Sequence, residues 1–397
     1  MQFKPFSISR LPRILFGAGR LQELPALAAA YGKNLLLVTG KQSFTNSTHW
    51  TAFTEDLANN GLQWQHFIVY GEPSPALVDQ AVAEFRKYNI DLVIAIGGGS
   101  VLDAAKAIAG LLPHGNSVLD HLEGVGRNIP YQGPSIPFIA VPTTAGTGSE
   151  ATKNAVLSEQ GLTGYKKSFR DECLIPEYAV VDPDLLISCT PELTAADGMD
   201  ALTQLLEAYV SIKANPLIDA LAFSGLQAVK EGFFAAWEGI EPAATQGRAA
   251  MAYAALLSGI ALAQVGLGSV HGLASPLGAF FPIPHGVVCG TLVAAATDVN
   301  IQALQAREAS NIAMRKYAQV GRLFTDNYDL NDYAARIALV ELLNDWSERL
   351  QLPRLSHFGI SREDLPLIIA NSRGSSMQTN PIVLTDGELE QILLQRL

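Results

Sequence analysis

The stretch DLVIAIGGGSVLDAAKAIAGLL, Asp91 to Leu112, changes its pattern at three glycines. Asp91–Ile96 is a near-continuous apolar run, as expected of a strand buried on both faces. Gly97, Gly98, Gly99 and Ser100 follow at once, and VLDAAKAIAGLL then reads as a helix. Further strands are expected at Asn34–Thr39, Gln65–Tyr70, Ser135–Val141 and Val180–Leu186, with helical stretches between. That alternation predicts a parallel sheet covered by helices. Beyond residue 186 the strands stop, and from Thr190 onward the periodicity is helical. The expected organisation is an α/β domain over residues 1–186 and an all-helical domain over 187–397.

Composition narrows the function. Nearly half the chain, 48%, is apolar, and the net charge is −11. An acidic chain without a basic cluster is a poor nucleic-acid surface. The start, MQFKPFSISRLPR, lacks the apolar core of a signal peptide, so a cytoplasmic location is expected. Cys173, Cys189 and Cys289 are odd in number and lack CxxC spacing, so neither a disulfide framework nor a thiolate metal site is expected. Ala249–Gly266 approaches membrane-spanning length, but it is Ala-rich and includes Ser258, Gly259 and Gln264, so it reads as a buried core helix.

The glycine turn has chemical meaning. A strand-to-helix turn exposes backbone N–H groups, and the helix N-terminus favours an anion. Gly97, Gly98 and Gly99 would let a pyrophosphate approach the backbone. Taken alone, GGGS is equally compatible with a plain tight turn, because it does not match GxGxxG. A second loop, TTAGTGS from Thr143 to Ser149, also follows a strand and offers hydroxyls and amides. Two such loops at the carboxyl ends of parallel strands suggest one nucleotide crossing the sheet edge. After the strand at Asn34–Thr39 come Gly40, Lys41 and Ser43, with no acidic residue to bind a ribose 2′-hydroxyl. This favours NADP over NAD, although Lys41 also fits a solvated surface turn.

The helical half holds a different signal. Ala249–Thr297 contains no Asp, Glu, Lys or Arg, yet it carries His271 and His285. Buried imidazoles need partners, either backbone carbonyls or a shared ligand. Pro276, Pro282 and Pro284 interrupt the segment, so one helix is expected to end near Ser275 and another to begin near His285. In GMDALTQLLEAYV, Asp200 and Gln204 are four apart on one helix face, among apolar neighbours. Asp200, His271 and His285 would form a His/His/carboxylate set suited to a divalent first-row metal.

GGGSVLDAAKA, VPTTAGTGSE, GMDALTQLLEAYVS and VHGLASPLGAFFPIPHG, in this order, resemble the iron-containing (group III) alcohol dehydrogenases. The resemblance covers nearly the whole chain. It implies an N-terminal dinucleotide-binding α/β domain with a parallel sheet and an all-α C-terminal domain, the fold shared with dehydroquinate synthase. It also implies reversible NAD(P)-linked alcohol oxidation with Fe²⁺ or Zn²⁺. Carried over by position, Asp200, Gln204, His271 and His285 would be the metal residues, and Asp200, His271 and His285 would act in catalysis through that metal. Asp103, Thr143, Thr144, Thr147 and Lys166 would line the ribose and nicotinamide, beside the pyrophosphate on Gly97–Ser100. Asn154 would lie at the substrate end, with an aromatic wall from Phe280 and Phe281.

Two departures stand out. The family usually has His where this chain has Gln204, and commonly a second His where it has Ser275. The first change weakens the expected metal site. The second alters proton handling near the substrate. The expected substrate is a small alcohol or aldehyde, and the expected assembly a homodimer. A maleylacetate reductase or a dehydroquinate synthase-type lyase would need basic residues for an anionic substrate, which the charge-free segment does not supply. A catalytically silent binding protein is the remaining alternative.

Overall fold

The computed structural model describes residues 5–397. The chain forms two compact units. One comprises Ser9–Glu159 and Lys166–Cys189; the other is built on Thr190–Leu397 with Gln160–Tyr165.

The first unit contains β1 (Arg13–Phe16), α1 (Leu24–Ala28), β2 (Asn34–Gly40), α2 (His49–Asn59), β3 (Gln63–Val69), α3 (Pro75–Phe85), β4 (Leu92–Gly97) and α4 (Gly99–Leu111). It continues with β5 (Phe138–Pro142), β6 (Asn154–Glu159), β7 (Tyr165–Arg170) and β8 (Tyr178–Val181). Six strands form a parallel sheet in the order β1-β8-β5-β4-β2-β3. Because the connection from β3 returns past β2 to β4, the chain reverses direction between β2 and β4. In such sheets ligands bind beyond the carboxyl ends of the strands at that reversal. Every residue of β4 is buried. Leu35, Leu37, Ile94, Ile96, Ile139 and Val141 pack in one core cluster. Full burial of a side chain such as Ile94 stabilises by roughly 1.5–3 kcal/mol.

One strand expectation needs correction, and three strands were not expected. Val180–Leu186 does not continue as a strand: β8 ends at Val181, and Pro183–Ser188 form a 3-10 helix. Pro183 cannot donate to a ladder, and the Asp182 carboxylate turns the chain by accepting from Asp184 N, Gly19 N and Leu21 N. β1 and the pair β6-β7 are strands that the pattern did not reveal. β1 is short and partly exposed, and β7, YKKSFR, is polar and mostly half-exposed.

The second unit contains α5 (Pro191–Val210), α6 (Pro216–Glu238), α7 (Ala243–Val265), α8 (Ser269–Phe280), α9 (His285–Arg307), α10 (Ile312–Thr325), α11 (Asp332–Arg349), α12 (Leu365–Ala370) and α13 (Asp386–Gln395). Thr190 caps α5, its hydroxyl accepting from Leu193 N, and Pro191 opens the first turn. α7 and α9 are long and apolar enough to cross a membrane by length and composition, but most of each is buried in the unit. Gly286 and Gly290 set α9 against α5. A Cβ on Gly286 would lie 2.4 Å from Ala196 O, and one on Gly290 would lie 2.8 Å from Met199 Cβ.

The expected helix end near Ser275 also needs correction. α8 runs through Pro276 to Phe280. Pro276 forfeits only the bond to the Gly272 carbonyl, while buried Leu273 and Leu277 hold both flanks in the core. Phe281 N donates to Leu277 O at 3.0 Å and closes the last turn. α9 starts at His285.

Candidate metal and nucleotide sites

Asp200 comes from the middle of α5, His271 from the first turn of α8 and His285 from the first residue of α9. Asp200 Oδ1 lies 3.2 Å from His271 Nε2 and 3.8 Å from His285 Nε2. The two rings are 5.4 Å apart between centroids. Asp200 and His271 are buried, whereas the His285 side chain keeps 24% of its surface exposed. The cluster therefore has a closed side at α5 and an accessible side at His285.

His271 is oriented from behind. Its Nδ1 is 2.7 Å from Glu207 Oε2, and Glu207 Oε1 accepts from Val270 N at 2.7 Å. Such a carboxylate fixes the ring and leaves Nε2 to face a metal. Sequence reading missed Glu207; its position seven residues after Asp200, on the same face of α5, was the available signal. Cys289 was missed as well. Its Sγ lies 3.6 Å from His271 Nε2 and 3.8 Å from His285 Nε2. Asp200, His271, His285 and Cys289 each offer a donor atom within 4.8 Å of the others. CxxC spacing was the wrong criterion, because one helical turn from His285 already brings Cys289 to the same point.

Gln204 is 2% exposed, and its Nε2 donates to Asp200 Oδ2 at 3.2 Å. Its Oε1 is buried without a hydrogen-bond partner. Burial raises the Asp200 carboxyl, but the His285 and His271 imidazoles override it and bring the group down to about 2. Burial, reinforced by the charge of Asp200, pushes Asp197 up to about 7 one turn earlier on α5. A buried ionised carboxylate, converging imidazole nitrogens and an orphaned amide oxygen form a donor set that fits a divalent cation.

Ser275, Phe280 and Phe281 are part-exposed, and Ile283 is buried at 5%. Ser275 therefore stands on α8 one turn beyond His271, and the aromatic pair follows at the end of that helix.

In the α/β unit, Gly97 ends β4 and Gly99 opens α4. The first amides of α4 lack intrahelical partners and suit an anion. The glycines also permit tight packing: a Cβ on Gly97 would lie 2.6 Å from Val101, and one on Gly99 would lie 2.7 Å from Thr147 Oγ1. Thr144 rests against Gly98, and Thr143 N donates to Gly97 O at 3.0 Å. Gly40 ends β2, with Lys41 and Ser43 exposed beyond it. These loops gather at the carboxyl ends of β2, β4 and β5.

Asp103 and the backbone carbonyl of Asn154 help to hold the second loop, and the Asn154 side chain is part-exposed. Lys106, fully buried, donates from Nζ to Ser149 O, Ser149 Oγ, Thr152 Oγ1 and Asn154 O, and lies 3.7 Å from Asp103 Oδ1. Ser149 Oγ also donates to Asp103. Burial lowers Lys106 to about 8. Lys166 pairs with Glu72 at 3.1 Å.

Residues 12–183 match the model of the iron-containing alcohol dehydrogenases, and residues 194–397 match that of the C-terminal part of the same family. The chain is similar to the NAD-dependent methanol dehydrogenase of Bacillus methanolicus, with 31% identity over 96% of this chain and 97% of the other. It is similar also to the NADPH-dependent butanol dehydrogenase of Clostridium saccharobutylicum, with 30% identity over 96% of each. Among solved structures, a 1,3-propanediol oxidoreductase superposes with a TM-score of 0.89 at 29% identity, covering 99% of this chain and 100% of that one.

Proposed function

The chain belongs to the iron-containing alcohol dehydrogenase family, and from that premise we propose that it reduces small apolar aldehydes to alcohols with NADPH. It is a metal- and nicotinamide-dependent alcohol dehydrogenase; the substrate class, the direction and the choice of NADP are the proposal. The observation that carries the metal chemistry is Asp200 Oδ1 facing both His271 Nε2 and His285 Nε2.

Asp200, His271 and His285 would hold the cation, with Gln204 steadying Asp200 and Glu207 steadying His271. A divalent ion bound there supplies Lewis acidity toward the substrate oxygen. The nicotinamide supplies the hydride chemistry. The chain supplies the rest. The α4 N-terminus and Gly97–Gly99 bind the pyrophosphate, and the Thr143–Ser149 loop offers hydroxyls to the nicotinamide half. Phe280 and Phe281 present an uncharged wall, in a segment without charged side chains, which suits an apolar substrate better than a polyanion. Gly40 leaves room for a 2′-phosphate, and Lys41 supplies a cation for it. The relatives include enzymes named for either nucleotide. Cys173, Cys189 and Cys289 form no disulfide, which supports a reducing, cytoplasmic setting.

Steady-state oxidation of NADPH and NADH with a panel of aliphatic and aromatic aldehydes tests this reading. NADPH turnover with apolar aldehydes is expected. Turnover confined to a dicarboxylate or a sugar phosphate would replace the substrate assignment, and absence of turnover with any substrate would favour a silent binding protein.

A further inference from the structure

The geometry points to Cys289 as a fourth metal ligand, its thiolate taking the place of the imidazole that Gln204 does not provide. This rests on the metal-dependent reading above and adds a residue to it. The sequence places Cys289 one turn after His285 on α9, so both side chains leave the same helix face. Gly286 and Gly290 bring that face against α5, where Asp200 and Gln204 stand.

The distances are those of a coordination polyhedron. A tetrahedral ion with bonds of about 2.3 Å to sulfur and about 2.05 Å to nitrogen holds sulfur and nitrogen about 3.6 Å apart. Cys289 Sγ is 3.6 Å from His271 Nε2 and 3.8 Å from His285 Nε2. The same ion holds nitrogen and a carboxylate oxygen about 3.4 Å apart. Asp200 Oδ1 is 3.2 Å from His271 Nε2 and 3.8 Å from His285 Nε2. Four of the six edges thus fall near the expected lengths, and the other two lie within the 4.8 Å span of the cluster. A second observation is Gln204. It is 2% exposed, its amide reaches Asp200, and its Oε1 has no hydrogen-bond donor. A buried carbonyl oxygen in that state, on the residue that holds Asp200, calls for a partner, and a cation beside Asp200 is one that this donor set suits.

Coordination replaces the S–H bond with a metal–sulfur bond and releases the proton to solvent. A thiolate beside two imidazoles and a carboxylate is a softer set than three imidazoles and a carboxylate, and it favours Zn²⁺ over Fe²⁺.

The test is a Co²⁺ titration of the chelator-treated full-length protein, followed by absorption. A near-ultraviolet sulfur-to-cobalt band that saturates at one equivalent is expected, together with visible ligand-field bands. Cys289→Ser should lose the near-ultraviolet band, keep the visible bands and bind Co²⁺ more weakly, on the order of 10–100-fold. Visible bands without the sulfur band, and an unchanged affinity in Cys289→Ser, would overturn the role of Cys289 while leaving the metal centre standing. Failure of the wild-type protein to bind Co²⁺ would overturn both. If Cys289→Ser does not fold, X-ray absorption of the zinc-loaded wild type decides. A sulfur scatterer at about 2.3 Å supports the ligand, and a shell of nitrogen and oxygen alone overturns it.

Discussion

His271 Nδ1 sits 2.7 Å from Glu207 Oε2, while the opposite ring nitrogen faces Asp200 and Cys289. The carboxylate thus decides which nitrogen is free to coordinate. Glu207→Gln keeps the shape but removes the charge behind the ring. Loss of such a partner typically weakens metal affinity about 10–100-fold. Competition against a chelator should show a loss of that order, with the fold retained. An unchanged affinity would mean that Glu207 serves only to cap α8 through Val270 N.

A ligand at 204 and one at 289 should be interchangeable. Gln204→His restores the imidazole that the family usually carries. In a Cys289→Ser background it should recover most of the lost metal retention, read by elemental analysis after gel filtration. No recovery would place residue 204 outside bonding reach.

Much of this centre was legible because helix periodicity converts sequence spacing into position. Asp200 and Gln204 were seen as a pair for that reason, and His271 and His285 stood out in a charge-free segment. Glu207 and Cys289 obey the same periodicity but were masked by ordinary expectations. An acidic residue looks solvated, and a lone buried cysteine looks inert. Helix α8 illustrates another limit. A proline signals an interruption, but tertiary packing of Leu273 and Leu277 carried the helix through Pro276. β4, α4 and the parallel core followed directly from apolar runs and glycine turns. β1 and β7 did not, because short or half-exposed strands lack such a run.

Nucleotide choice should hinge on Gly40. A Cβ there meets only ordinary contacts, 3.6 Å to Val101 Cγ2 and 3.8 Å to Ser43 Oγ. Gly40→Asp therefore fits sterically. Its carboxylate would bind a ribose 2′-hydroxyl and repel a 2′-phosphate. The ratio of kcat/KM for NADPH to that for NADH should fall at least about tenfold, equivalent to roughly 1.4 kcal/mol. A ratio that does not move would place the adenosine ribose away from β2.

Glu150 gives the stability a pH dependence. It is 2% exposed, and burial pushes its carboxyl up to about 7 from an ordinary 4.5. Between those values the folded chain keeps a proton that the unfolded chain has lost. The contribution of this group to stability therefore falls as pH rises from 4.5 to 7 and is flat above, with a total of roughly 3 kcal/mol. Glu150→Gln mimics the protonated form and should remove the slope. Thermal melting at pH 5 and pH 8 should show the variant gaining most at pH 8. An equal gain at both values would mean that Glu150 is solvated when ionised.

Lys106 anchors the loop after β5 with one ammonium whose three N–H donors are shared among four oxygens within 3.1 Å. The loop is braced from inside the protein, by a side chain that is fully buried. A nucleotide bound at the site proposed above would meet a surface already set, so little ordering entropy would oppose binding. Adaptability is the corresponding loss. Grafting another enzyme's loop at Thr143–Ser149 would strand a buried ammonium unless its partners at Ser149, Thr152 and Asn154 were kept. Redesign of this enzyme for other nucleotides should begin at the exposed loop after β2, where no buried charge has to be rehoused.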